Sequence, residues 1–155
     1  MTTRPALTLE NFLCLDLYAA SRAVMKAYTP LLAPLGLTYP QYLVMVALWQ
    51  EDGQQVNALA RQLSLDSGTL SPLLKRLEAA GLVERSRDTE DERAVKVKLT
   101  PSGRALQQQA PEVAGRIGDL FGMSWEEIQR LKTTLRAIGH RMEAGTGAPE
   151  KNAPA

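Results

Sequence analysis

DSGTLSPLLKRLEAAGLVERSRDTEDERAVKVKLTPSG, residues 66–103, is the stretch in which the hydrophobic period changes, and that change decides the fold. Leu70, Leu73, Leu74 and Leu77 recur at three- and four-residue spacing, as on a helix with one buried stripe. Asp66 and Ser67 are candidate N-caps, Gly81 is placed to stop the helix, and Leu82 to contact Leu77 across the stop. Pro72 leaves the start open, because it deletes a helix hydrogen bond if the cap is Asp66 and none if it is Thr69. From Val83 the period falls to two. Val95, Val97 and Leu99 alternate with Lys96 and Lys98, and Val83–Arg87 can pair with them across 88–92 as a two-stranded hairpin.

Upstream, Thr8 with Glu10 and Asn11 reads as a helix start. Leu9, Phe12, Leu13, Leu17, Ala20, Val24, Tyr28 and Leu31 continue one long amphipathic helix to Pro34-Leu35-Gly36. Thr38 and Gln41 form a capping-box pattern opening a nearly all-apolar, hence central, helix to Trp49. A turn at Glu51-Asp52-Gly53 leads into a short helix over 56–65. Downstream, Thr100-Pro101 opens a helix that Pro111 should kink, and a last helix runs from 124 to about 143. Residues 144–155, rich in Gly, Pro, Ala and polar residues, are expected to be disordered. The expected class is mainly α with a small β-hairpin: a winged helix-turn-helix over about 38–100, flanked by helices at 8–35 and 101–143.

Two short helices, the second beginning in small hydroxyl residues and followed by a hairpin with arginines, are what a major-groove reader with a flanking wing needs. Ser67, Thr69 and Ser71 near that helix start can meet phosphates and base edges, with Lys75 and Arg76 extending the cationic surface. Arg85, Arg87 and Arg93 supply the wing, an arginine on a narrow hairpin suits the minor groove, and Asp91 is placed to aim Arg93. Across residues 61–104 nine Lys and Arg stand against seven Asp and Glu, so the local excess is two and one copy alone would bind weakly. Two copies on a two-fold axis, reading paired half-sites of a duplex, double the contacts. The flanking helices are the candidates for that pairing.

Composition excludes other classes. With 155 residues, 45% hydrophobic and 23% charged, the chain buries a real core, and a net charge of +1 favours no acidic partner in bulk. One cysteine, Cys14, and one histidine, His140, allow neither an intrachain disulfide nor a Cys/His zinc site, and no cofactor is indicated. There is no membrane-length apolar run and no apolar signal core, so the expected location is the cytoplasm, with no membrane partner.

Asp66 to Glu78, Gly81-Leu82-Val83-Glu84-Arg85, Asp91-Glu92-Arg93 and Leu99-Thr100-Pro101-Ser102-Gly103 together resemble the MarR family of dimeric repressors, over roughly residues 8–143. Asn11-Phe12-Leu13-Cys14-Leu15-Asp16-Leu17-Tyr18 and Leu37-Thr38-Tyr39-Pro40-Gln41-Tyr42 look like OhrR, its organic-hydroperoxide-sensing branch. That likeness implies that an organic hydroperoxide oxidises Cys14 to a sulfenic acid and the homodimer then releases its operator. It also implies that Tyr28 and Tyr39 hydrogen-bond the sulfur with Tyr18 nearby, and that the regulated gene encodes a peroxide-detoxifying enzyme. Some members carry a second, resolving cysteine. This chain has none and resembles the one-cysteine type, whose sulfenate persists, overoxidises or condenses with a low-molecular-weight thiol.

Phenolic donors around a thiolate stabilise the reactive form. Tyr18 shares a helix face with Cys14, but Tyr28, fourteen residues on, lies ~21 Å away along a straight helix. Contact therefore requires the partner chain or a broken helix. Three readings compete: a MarR-type regulator answering a small aromatic ligand without redox chemistry, a thiol peroxidase, and a winged helix that binds protein instead of DNA. The peroxidase would need a regenerating thiol that the chain lacks, so no enzyme is expected.

Overall fold

In the computed structural model, which describes residues 6–146, the chain runs α1 (Leu13–Leu32), α2 (Tyr39–Gln50), β1 (Gln54–Gln55), α3 (Val56–Leu63), α4 (Ser67–Ala79), β2 (Val83–Arg87), β3 (Val95–Leu99), α5 (Pro101–Ala105), α6 (Ala110–Phe121) and α7 (Trp125–Thr146). This is a mainly α fold with a small antiparallel wing between flanking helices, as the period change requires. It divides into two units, one up to Ile117 and one from Gly118 onward.

The first unit is built around α2. Its start is held by the expected box, in which the Thr38 N–H donates to Gln41 Oε1 at 2.9 Å and the Gln41 N–H to Thr38 Oγ1 at 3.4 Å. Tyr42, Val44, Met45, Ala47 and Leu48 are buried against Leu32, Leu59, Leu70, Leu74, Leu77, Val83, Val97 and Val113. Each fully buried leucine contributes roughly 1.5–3 kcal/mol.

The first helix departs from expectation. Thr8 precedes only a 3-10 turn, Leu9–Asn11, because the Asn11 side-chain amide donates to Thr8 Oγ1 and to the Ala6 carbonyl, both at 3.0 Å. Phe12 is extended, so α1 begins at Leu13 and Cys14 falls in its first turn. From there α1 is unbroken to Leu32, followed by a 3-10 turn at Ala33–Leu35 and a left-handed Gly36.

Asp66 is the cap of α4, its Oδ1 accepting the Thr69 N–H at 2.7 Å; this bond holds the carboxyl below its ordinary range. Pro72 therefore lies inside the helix and denies the Gly68 carbonyl its usual donor. The stop at Gly81 (φ 72°) is a Schellman motif: the Leu82 N–H donates to the Leu77 carbonyl and the Gly81 N–H to that of Glu78.

The expected hairpin forms, its register running from Val83 opposite Leu99 to Arg87 opposite Val95. The sheet, however, has three strands in the order β1-β3-β2, because Gln54 and Gln55 pair with Val97 and Lys96. Thr100 caps α5, accepting the Gly103 N–H at 3.1 Å and donating to the Gly81 carbonyl at 2.6 Å. The break associated with Pro111 is a 3-10 turn, Leu106–Gln109, just ahead of α6.

In the second unit, α7 opens with a box between Ser124 and Glu127 and runs to Thr146. Residues 144–146, expected in the tail, are thus helical, and the rest of the expected tail, 147–155, lies outside the described residues. Trp125, Leu131, Leu135 and Met142 of α7 are exposed.

Candidate nucleic-acid interface and sulfur site

Helix α4 buries Leu70, Leu74 and Leu77, which turns its other face outward. Ser67, Thr69, Lys75 and Arg76 are exposed there, and Ser71 is half-buried. Ser71, Arg85 and Arg93 join Gln55 and Asn57 in lining a cleft of about 230 Å³ that involves α3, α4 and the wing. The structure therefore gathers three of the expected interface residues around one opening.

Arg85, expected to contact DNA, is engaged within the protomer. Its Nε and Nη2 donate to Glu78 Oε2 at 3.0 and 2.8 Å, and its backbone N–H donates to Glu78 Oε1 at 3.0 Å. The same bonds hold the Glu78 carboxyl below its ordinary range. Arg85 braces the end of α4 to β2. Asp91 also acts otherwise than expected: its Oδ1 accepts the backbone N–H of Arg93 at 3.0 Å, so it shapes the turn and does not grip the guanidinium. Among the described residues no salt bridge engages Arg87 or Arg93, and both are exposed.

The residue that sequence reasoning missed is Asp88, only 3% exposed. Its carboxylate accepts the Glu90 N–H at 3.1 Å and Gln55 Nε2 at 2.8 Å, and pairs with Lys96 Nζ at 3.3 Å. These partners, the Glu90 N–H foremost, hold it below the ordinary carboxylate range. An acidic run disguised it, and the one available signal was its place at the exact end of the period-two segment.

Cys14, exposed, is the second residue of α1, and Phe12 supplies no side-chain cap. Tyr18, one turn on, is 61% exposed with the Arg22 guanidinium 5.5 Å from its ring centre. Tyr28 packs on Tyr39 (ring centres 4.6 Å) and Tyr42 (5.8 Å). Burial first, then the neighbouring Tyr39 and Tyr42, push Tyr28 up to about 12; burial also raises Tyr39 and Tyr42. These phenols stay protonated at neutral pH and are available as donors.

Because α1 is unbroken from Cys14 to Tyr28, fourteen residues separate them by ~21 Å. The broken-helix option is gone. Tyr28 and Tyr39 are brought together within one protomer, and Cys14 is not brought to them. Two further aromatics had not been singled out: Tyr42, and Trp49, whose ring centre lies 6.2 Å from that of Tyr42 and whose Nε1–H donates to the Gly103 carbonyl at 2.9 Å.

Among the described residues no cluster of metal-ligating side chains occurs, and no single helix is long and apolar enough to cross a membrane. A profile described as "MarR family" matches residues 37–95. The organic hydroperoxide resistance transcriptional regulator of Bacillus subtilis (strain 168) is 46% identical over 130 residues, covering 84% of this chain and 88% of that protein. The HTH-type transcriptional regulator TtmR of Methylorubrum extorquens (strain PA1) is 44% identical over 92% of this chain and 73% of its own length. Among solved structures, reduced AbfR bound to DNA superimposes with a TM-score of 0.73 at 34% identity, covering 88% of this chain and 93% of that one. Staphylococcal SarZ and MgrA regulators also align, so the relatives span several branches and not the hydroperoxide-sensing one alone. Winged architecture and these relatives agree, and the chain belongs to the MarR family.

Proposed function

We propose that the chain is a homodimeric transcriptional repressor. It holds double-stranded operator DNA through α4 and the wing, pairs through the segments 8–35 and 101–143, and lets go when an organic hydroperoxide oxidises Cys14. The observation that carries this reading is the arrangement along α1: an exposed thiol in the first turn, and ~21 Å down the same unbroken helix the protonated phenol of Tyr28, its ring tilted against that of Tyr39 on α2. A second copy running antiparallel along this helix would set each sulfur beside the other's Tyr28 and Tyr39. The likeness to a hydroperoxide-resistance regulator, and to AbfR, which has been solved both reduced on DNA and in a disulfide form, supports cysteine oxidation as the signal.

The Cys14 thiolate attacks the terminal peroxide oxygen. The S–O bond forms as the O–O bond breaks, sulfur loses two electrons to the peroxide, and the leaving alkoxide takes a proton to become an alcohol. The sulfenic acid then lies where phenols had faced a sulfur anion, and a low-molecular-weight thiol can condense with it, releasing water. Regulators of this family are DNA-binding proteins and not catalysts; one turnover is a signal.

The ligand-driven reading keeps one observation in its favour, an apolar groove of about 280 Å³ beside Tyr42, Val46 and Trp49 and facing Ala110 and Ala114. Replacing Cys14 by serine separates the two. Operator affinity and intact mass are measured before and after one equivalent of cumene hydroperoxide. Wild type should gain the mass of an oxygen atom and lose affinity, and Cys14→Ser should do neither; release of the mutant equal to wild type rules out the redox reading.

A further inference from the structure

We propose that Trp49 is the positioning residue through which the sulfur site acts on the wing, an inference that rests on the peroxide-release reading above. Tyr39, Tyr28, Tyr42 and Trp49, in that order, form a continuous aromatic ladder, with ring centres 4.6, 5.8 and 6.2 Å apart along its successive contacts. It starts at the two tyrosines assigned to the sulfur and ends at half-buried Trp49, near the end of α2. Aromatic side chains have only two rotatable bonds, so a displaced ring passes its movement to the ring it touches.

At its far end the ladder is fastened, not merely packed. The Trp49 indole N–H donates to the Gly103 carbonyl at 2.9 Å, across 54 residues of sequence. Gly103 in turn lies so close to the chain ahead of β2 that an added Cβ would collide with the Leu82 carbonyl oxygen. That oxygen also accepts the Thr100 N–H at 3.1 Å, and the Thr100 hydroxyl donates to the Gly81 carbonyl. A shift of Trp49 is therefore delivered to Gly103 by a directional bond. From Gly103 it passes by backbone contact to Leu82, the residue before the first wing strand, with no flexible side chain to absorb it. A second fastening runs parallel: Asp52 pairs with Arg104 and accepts the Leu99 N–H at 2.8 Å, so α5 and β3 move with the end of α2.

Trp49→Phe keeps a ring in the ladder and deletes only the bond to Gly103. Reduced Trp49→Phe should bind operator within about twofold of wild type and form the Cys14 sulfenic acid at the wild-type rate. Its peroxide-induced loss of affinity should shrink by about tenfold or more, within the usual range of coupling between sites. A mutant that oxidises and releases like wild type overturns the relay while leaving the peroxide reading intact. Failure of wild type itself to release removes the peroxide reading, and the relay with it. Trp49 and Trp125 are the only tryptophans, so a Trp125→Phe background reports Trp49 alone. This second measurement decides the matter should Trp49→Phe not fold. Trp49 emission should change on oxidation and stay constant when Cys14→Ser is added, and emission indifferent to oxidation overturns the relay.

Discussion

Asp88 shows how a buried charge is made tolerable: a backbone N–H, a side-chain amide and an ammonium all turn toward it, so the wing begins from a fixed point. Asp88→Asn removes the charge that Lys96 and Gln55 face and should cost roughly 1–3 kcal/mol, read as a lower denaturation midpoint. Its folded carboxyl titrates below the ordinary 3.8, so the stability it contributes is complete above that value and is lost as the pH falls through the lower folded one. Acid titration of wild type should therefore show a loss below pH 3.8 that the Asn variant lacks. Arg93, exposed and without a salt bridge among the described residues, is the opposite case. Arg93→Ala should leave the melting temperature unchanged and weaken operator binding by roughly 1–3 kcal/mol with a shallower salt dependence; unchanged affinity would remove the wing from the interface. Cations were legible from residue type and position on the hairpin. Which of them is already occupied was not, because the partner of Arg85 sits seven residues back on another element.

Elements were legible where their signals are local. Thr38 with Gln41, Gly81 and Thr100 each act through near neighbours and each cap or stop is where the sequence puts it, while for α4 the structure selects Asp66 from the two starts that Pro72 had left open. Two elements were hidden for physical reasons. β1 is two glutamines with no period, made a strand only by β3 beside it, and the first helix starts late because the Asn11 amide favours a turn over the ladder. Gly103 is where helix α5 and the wing touch without a side chain between them. Gly103→Ala should cost about 1–3 kcal/mol through the collision with Leu82, seen as a lowered melting temperature. Glu78→Gln should loosen Arg85 from α4 and raise nonspecific DNA binding by the charge released, measurable as a steeper salt slope on random duplex.

For the whole molecule, the sulfur site is the part least legible from one chain. Cys14 and the tyrosines were found by type and resemblance, yet one protomer does not assemble them, and the spacing along α1 shows only what a second copy would have to supply under the proposed peroxide reading. The buried phenols also set an alkaline limit. Since Tyr28 titrates at about 12 in place of 10.0, its contribution to stability is whole below pH 10 and is lost as the pH climbs through the folded value. Tyr28→Phe should blunt this alkaline loss in a pH series of thermal melts, and an unchanged series would mean that Tyr28 is solvated in the folded protein.

The strand order has a bearing on solubility. With β3 in the middle, the sheet has two open edges, and open edges invite stacking of one molecule on the next. One edge, β1, is too short to template anything, and the other carries Glu84, Arg85 and Arg87, whose charges oppose an incoming strand. The exposed wing is thereby kept from aggregating through its edges.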